Sequence, residues 1–173
     1  MKKHLLFLCA RLNSFLTQRF FNKEVCIVEN KTKKGLPIQL SFVAEIDHGD
    51  LHKENVAFKA IGLYYIKENT TYLLFDEKQD GGIIKTIVKI TNSDVSIARS
   101  GFVTMRQLFR AGEVTTGTYK NQYGIVEMVT QTEKINYEWD AESRQGTLAV
   151  SYVLHLHEEQ VGRYFITITF KEE

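Results

Sequence analysis

The sequence predicts an all-β protein whose strands form one antiparallel barrel, and three observations support this prediction. Val, Ile, Thr, Tyr and Phe are abundant while proline occurs once, at Pro37, as expected of long strands. Apolar and polar residues alternate within successive segments, and short polar or glycine-containing breaks separate them. Strands joined by short connections run antiparallel, and closure removes the exposed edges of a sheet. We therefore expect an up-and-down meander that closes, or nearly closes, into a single barrel of roughly eight to ten strands.

The strands fall within one predicted domain, residues 36–173. A chain of 173 residues can bury roughly 70% of its unfolded surface in a single core. Turn-forming residues such as Asp80-Gly81-Gly82 separate the candidate strands. In chain order, these strands are Ile38–Asp47, Val56–Lys67, Thr71–Asp76, Ile83–Thr91, Val95–Arg99, Thr104–Phe109, Thr115–Lys120, Ile125–Trp139, Thr147–His157 and Gly162–Phe170.

Most candidate strands have one apolar and one polar face. Leu148, Val150 and Tyr152 share a face, while Thr147 and Ser151 share the other, as in a wall between a core and solvent. The strand at 56–67 differs because it is apolar on both faces. We expect it to be covered on both sides, by the N-terminal segment, by a partner subunit or by a bend at Gly62.

Residues 1–35 form a predicted N-terminal extension with two open interpretations. Leu5, Leu8, Leu12 and Phe15 fall near a helical period, which favours a short amphipathic helix. Alternatively, translation starts downstream, for example near Val28, and the preceding residues are not part of the protein. The apolar run before Arg11 is too short for a secretory signal or a transmembrane helix.

Charge and cysteine content exclude several function classes. Lys and Arg total 22 against 21 Asp and Glu, so no strong field favours nucleic acid. Cys9 and Cys26 suggest neither a disulfide framework nor a metal site, which favours a cytoplasmic location. His155 and His157 share a strand face but lack a third ligand, and His48 and His52 flank a polar turn typical of solvated histidines. We predict no metal, no cofactor and no membrane span. No nucleophile has a plausible base, so we do not expect an enzyme.

The stretch from Arg99 to Tyr119 contains the candidate binding residues, which are Arg99, Arg106, Gln107, Arg110 and Tyr119. Arginine can hold a carboxylate or phosphate through two parallel hydrogen bonds. Arg106 and Arg110 share one face of their strand and Gln107 lies on the other, so a regular strand cannot direct all three into one lumen. The competing interpretation pairs the arginines with acidic residues on the outer surface.

The same stretch resembles the YwiB-like family of uncharacterised bacterial proteins. The resemblance extends from about Leu36 to the C terminus and lies in Arg99-Ser-Gly101, Met105-Arg-Gln-Leu-Phe109, Gly112, Thr115-Thr-Gly-Thr-Tyr119 and Gly124. It implies a calycin-like (lipocalin-like) β-barrel and leaves residues 1–35 uncovered. It implies no catalytic residues.

Two functions from different classes follow. The first is binding of a small, partly apolar and anionic ligand inside the barrel. The second is a protein-interaction module, or homodimer, with a filled barrel that acts through its outer surface. A lumen of about 300 Å³ or more favours the ligand, and a packed interior favours the partner.

Overall fold

The computed structural model describes residues 35–49, 52–79 and 81–173, and every regular element in these ranges is a β-strand. Each strand pairs antiparallel with the next, and β1 also pairs with β10, so the predicted closed up-and-down barrel is confirmed. Apart from Gly35, the N-terminal extension lies outside the described residues. The ten strands are β1 (Leu36–Asp47), β2 (Lys53–Lys67), β3 (Thr70–Gln79), β4 (Gly82–Ile90), β5 (Asp94–Gly101), β6 (Thr104–Arg110), β7 (Val114–Asn121), β8 (Gly124–Asp140), β9 (Gln145–Leu156) and β10 (Glu159–Glu172).

Two hairpins turn through pairs of left-handed residues. Glu68 and Asn69 have φ values of 50° and 60° between β2 and β3. His157 and Glu158 have φ values of 49° and 67° between β9 and β10. Such pairs match the right-handed twist of the flanking strands and fix their register. Because His157 lies in a turn, it does not share a strand face with His155, contrary to the sequence-based expectation.

The inner face of the wall forms the core. On β4, Ile84, Val88 and Ile90 are buried while Lys85 and Lys89 are exposed, in keeping with the predicted division of most strands into an apolar and a polar face. On β2 the alternation is also regular, with apolar groups pointing both inward and outward. Its outward residues Ile61 and Leu63 are 71% and 44% exposed, so within the described ranges nothing covers this outer face.

One end of the barrel is filled by aromatic side chains. Tyr64 stacks on Trp139 with ring centroids 5.0 Å apart, and Phe170 lies 5.5 Å from Tyr64. Gly146 makes room for this cluster, because a Cβ there would lie 2.2 Å from Phe170 Cζ. These residues lie where β1 begins and β10 ends, so their rings occupy that end of the lumen.

The hydrogen-bonded wall is interrupted in two places. β2 and β3 pair only from Gly62–Phe75 to Lys67–Thr70, so residues 53–61 of β2 and residues 76–79 of β3 are not paired with each other. We call this interruption the lateral gap. β6 and β7 pair only at Thr104–Lys120, Met105–Tyr119 and Arg106–Thr118. Residues 107–110 of β6 and residues 114–117 of β7 are not paired with each other, and this interruption is the second gap.

Candidate ligand cavity

The end of the barrel opposite the aromatic cluster contains a cavity of about 870 Å³. Its walls are mainly apolar and include Phe42, Phe58, Phe75, Tyr152 and Tyr164. Phe42 and Phe58 stack with centroids 4.9 Å apart, and Tyr152 and Tyr164 do so at 5.1 Å. The volume falls within the range of roughly 300–1,000 Å³ typical of small-molecule sites. The interior is therefore not packed along its full length.

The cavity reaches the lateral gap. Val56, Phe58 and Ala60 line it from inward positions on β2, and the outward residues Lys59 and Lys78 on either side of the gap line it as well. Outward residues contribute to an internal cavity only where the wall between them is interrupted. The cavity thus extends into the wall between β2 and β3.

A charged pair forms the polar part of the cavity wall. Arg99 Nε donates to Glu77 Oε1 at 3.2 Å, and Arg99 Nη2 forms a second, short bond to Glu77 Oε2. Thr86 Oγ1 donates to Glu77 Oε1 at 2.7 Å. The Arg99 and Glu77 side chains are only 13% and 5% exposed. A buried charge is tolerated when it is paired and hydrogen-bonded, and this bidentate pair meets that condition.

The five residues singled out in the sequence do not form one site. Arg99 is the only one of them that lines the cavity. Arg106 and Arg110 point outward from β6, whereas Gln107 points inward, as the strand alternation requires. Tyr119 is buried in a small cluster with Ile84 and Val103.

Arg110 belongs to a surface ion-pair network. Its Nε lies 2.7 Å from Asp94 Oδ1, and its Nη1 lies 3.1 Å from Glu113 Oε2. The hydrogen bonds that Arg110 donates to Asp94 hold the pKa of that carboxyl below its usual value. Arg110 thus has the outer-surface role that was the alternative interpretation of the sequence.

Gln107 fills the second gap in the wall. Its Nε2 donates to Leu108 O at 2.9 Å and to Thr130 Oγ1 at 2.7 Å, while Thr115 Oγ1 donates to Leu108 O. Gly117 gives this amide its space, since a Cβ there would lie 2.0 Å from Gln107 Oε1. The side chain satisfies a main-chain group that lacks a β7 partner, so its role here is structural.

Glu77 and Thr86 were missed in the sequence although a signal existed. Thr71, Leu73 and Phe75 alternate inward on β3, and the next inward position is Glu77. The predicted strand ended at Asp76, one residue too early to show a carboxylate on the apolar face. Thr86 is an inward residue between Ile84 and Val88, where its hydroxyl gave no sign of a charged partner.

Fold and cavity together define a ten-stranded antiparallel β-barrel with a large cavity in its lumen. The chain belongs to the family described as a domain of unknown function (DUF1934), whose model matches residues 40–168. It is 36% identical over 139 residues to the "Uncharacterized beta-barrel protein YwiB" of Bacillus subtilis (strain 168), covering 80% of this chain and 96% of that protein. The crystal structure of the ywiB protein from Bacillus subtilis superposes with a TM-score of 0.72 at 34% identity, covering 82% of this chain and 94% of that one.

The resemblance drawn from the segment between Arg99 and Gly124 is therefore confirmed. The described ranges contain no helix of the length and apolarity needed to cross a membrane.

Proposed function

We propose that this barrel binds a small, partly apolar molecule in the cavity between the lateral gap and the Arg99–Glu77 pair. The observation that carries the proposal is an apolar cavity of about 870 Å³ with one buried polar cluster in its wall. Apolar pockets with a few well-placed polar groups are typical ligand sites, in which the polar groups fix the orientation of the ligand. The proposed role is binding rather than catalysis, and the cysteine-poor sequence supports a cytoplasmic location.

The charge of the polar cluster bears on the head group of the ligand. An anionic head was expected from three arginines, of which only Arg99 lines the cavity. Its charge is balanced by Glu77, so an added carboxylate would place two anions beside one guanidinium. That arrangement is unfavourable in a site shielded from water. A neutral head that donates and accepts hydrogen bonds, such as an alcohol, fits the pair better than an anion does.

The experiment compares two probes with the same apolar chain, dodecanol and dodecanoate, by calorimetry and thermal shift. We expect saturable binding of both probes, with dodecanol tighter. Glu77→Gln removes the repelling charge and should reverse this preference. Ala60→Trp places a large side chain in the cavity at the lateral gap and should abolish binding of both probes. Ala98→Trp, on the outward face of β5, is the matched control and should bind like the wild type.

Two results would overturn the proposal. One is the absence of saturable binding for either probe. The other is unchanged affinity in Ala60→Trp, which would place the bound molecule outside the cavity. A preference for dodecanoate in the wild type would leave the cavity as the site and exclude the neutral head group.

A second candidate function follows from an apolar row on the outer wall. Leu63, Leu74 and Ile87 are cross-strand neighbours on β2, β3 and β4, and Ile61 adjoins them. An exposed apolar patch often marks a protein interface. The open cavity nevertheless favours the ligand function. A concentration-dependent dimer in sedimentation, lost on Leu63→Lys, would instead favour a homodimer formed through this row.

A further inference from the structure

A cluster of two histidines and one glutamate follows β1 at the end of the barrel opposite the aromatic cluster. One ligand atom from each of His48, His52 and Glu54 lies within 4.8 Å of the others. Glu54 occupies an inward position of β2, two residues before the cavity residue Val56. The cluster therefore lies near the cavity wall without lining it, and it shares no residue with the Arg99–Glu77 pair.

The imidazole of His48 is oriented as a metal ligand would be. Its side chain is only 5% exposed, and its Nδ1 lies 3.0 Å from Val161 O. A carbonyl oxygen only accepts hydrogen bonds, so Nδ1 carries the proton and Nε2 can present a lone pair. Nε2 makes no hydrogen bond to any described residue and faces Glu54 Oε2 at 3.5 Å. Histidines that bind metals typically donate their other ring N–H to a carbonyl or carboxylate in this way.

The backbone of β10 is shaped around this ring. The pairing of β9 and β10 skips Val161, which makes Val161 the extra residue of a β-bulge. Bulges re-aim main-chain groups and are frequent beside functional sites. The next residue is Gly162, where a Cβ would lie 2.9 Å from Asp47 O and 3.3 Å from His48 Nδ1. The bulge directs a carbonyl at His48, and the glycine leaves room for the ring.

The other two groups complete a recognisable ligand set. The rings of His48 and His52 lie 4.7 Å apart. The backbone N–H of His48 also donates to the backbone carbonyl of His52 at 3.2 Å across the turn. His52 is exposed and the Glu54 side chain is 25% exposed, so solvent reaches the cluster from one side. Two imidazoles and one carboxylate with an open fourth position form a known zinc ligand set.

From these contacts we infer that His48, His52 and Glu54 bind one divalent transition-metal ion of the zinc class. The inference does not depend on the ligand proposed for the cavity. The alternative is a simple ion pair, in which a protonated His48 donates from Nε2 to Glu54. A simple ion pair needs neither a metal ion nor His52, and this difference makes the two explanations separable.

The test is titration of the full chain with Zn²⁺ by calorimetry and with Co²⁺ by visible absorption. We expect one ion per chain. The visible spectrum of bound Co²⁺ should show the bands of an ion with a low coordination number and no thiolate-to-metal charge-transfer band. Absence of the thiolate band would exclude Cys9 and Cys26 as ligands. His48→Ala and Glu54→Gln should weaken Zn²⁺ binding by about 100-fold or more, beyond the effect of losing only a supporting group. His155→Ala on β9 is the matched control and should bind like the wild type.

His52→Ala keeps the test independent of folding, because His52 is exposed and its removal leaves the His48–Val161 bond in place. We expect it to weaken Zn²⁺ binding by at least about tenfold. Unchanged affinity in this variant would overturn the three-ligand site, because it would show that His52 is not a ligand. Absence of stoichiometric Zn²⁺ or Co²⁺ binding by the wild type would overturn it as well.

Discussion

The two gaps in the barrel wall differ in what occupies them: polar side chains fill one gap, and a cavity remains at the other. At the β6–β7 gap, Gln107 and Thr115 direct polar groups to the unpaired Leu108 carbonyl and fill the space between the strands. At the lateral gap, the inward residues Val56, Phe58 and Ala60 offer no hydrogen bonds across it, and a cavity remains. Unpaired main-chain groups cost free energy when they are shielded from water without a partner. A gap can therefore be sealed by polar side chains or left open to solvent or a ligand.

Each gap begins beside a glycine. Gly62 forms the last β2–β3 pair, and a Cβ there would lie 2.4 Å from Leu74 O. Gly117 follows the last β6–β7 pair, and a Cβ there would lie 2.6 Å from Arg106 O. The strands approach closely at both points and then separate. The difference between the gaps thus arises from the side chains beyond each glycine, rather than from the backbone at its start.

Glu77→Ala at the open gap should have the largest effect on stability. It leaves Arg99 buried without its carboxylate and removes the acceptor of Thr86. Breaking a buried pair costs about 3–5 kcal/mol, and we expect a loss of about 3 kcal/mol because the cavity gives Arg99 some access to water. Urea unfolding measures this loss. Glu133→Ala is the control, since it breaks only the exposed pair with Arg163 and should change stability by less than about 1 kcal/mol. Equal losses in the two variants would contradict a buried pair at Arg99.

Gln107→Ala at the sealed gap should cost about 2 kcal/mol, because it leaves Leu108 O with one donor fewer and opens a small void. Dodecanol affinity should stay within twofold of the wild type, since Gln107 does not line the cavity. Unfolding and calorimetry on the same variant measure both quantities. A loss of dodecanol affinity without a loss of stability would mean that Gln107 contacts the ligand. It would contradict the structural role assigned to Gln107 at the β6–β7 gap.

The sequence predicted the barrel well because strand alternation and turn residues are local signals. The apolar face formed by Leu148, Val150 and Tyr152 was visible in the sequence, and the short connections between strands predicted one antiparallel barrel. The site was harder to predict because it depends on register. Alternation alone separated Gln107 from Arg106, but it could not show that Arg99 would meet Glu77, a residue 22 positions away on a non-adjacent strand.

His48 shows the same limit of sequence-based prediction, because a residue that was expected to be solvated is buried. A histidine beside a turn is usually solvated, and its burial here depends on a bulge at Val161 far along the chain. No local pattern around His48 reports that bulge. Long-range contacts of this kind determine which polar residues become sites, whereas local patterns determine the strands that carry them.

The smallest predicted effect concerns the paired part of β2, where Tyr64 packs in the aromatic cluster. Burial, together with the electrostatic effect of the neighbouring Tyr137 and the hydrogen bond that Tyr64 donates to it, raises the pKa of Tyr64 from 10.0 to about 12. Between these values the unfolded chain loses the phenolic proton while the folded protein retains it. The contribution of Tyr64 to stability is therefore complete below pH 10 and is lost as the pH rises towards 12. Tyr64→Phe should flatten this alkaline decline in the free energy of unfolding.

The control for that measurement is Tyr123→Phe, because Tyr123 is 70% exposed and should leave the alkaline decline unchanged. Urea unfolding at a series of alkaline pH values gives the slope for each variant. Phe58 lies beyond the last β2–β3 pair, in the part of β2 that borders the cavity. Phe58→Leu should therefore leave the slope as in the wild type. A slope in Tyr64→Phe equal to that of the wild type would mean that water reaches the aromatic end as freely as it reaches the lateral gap.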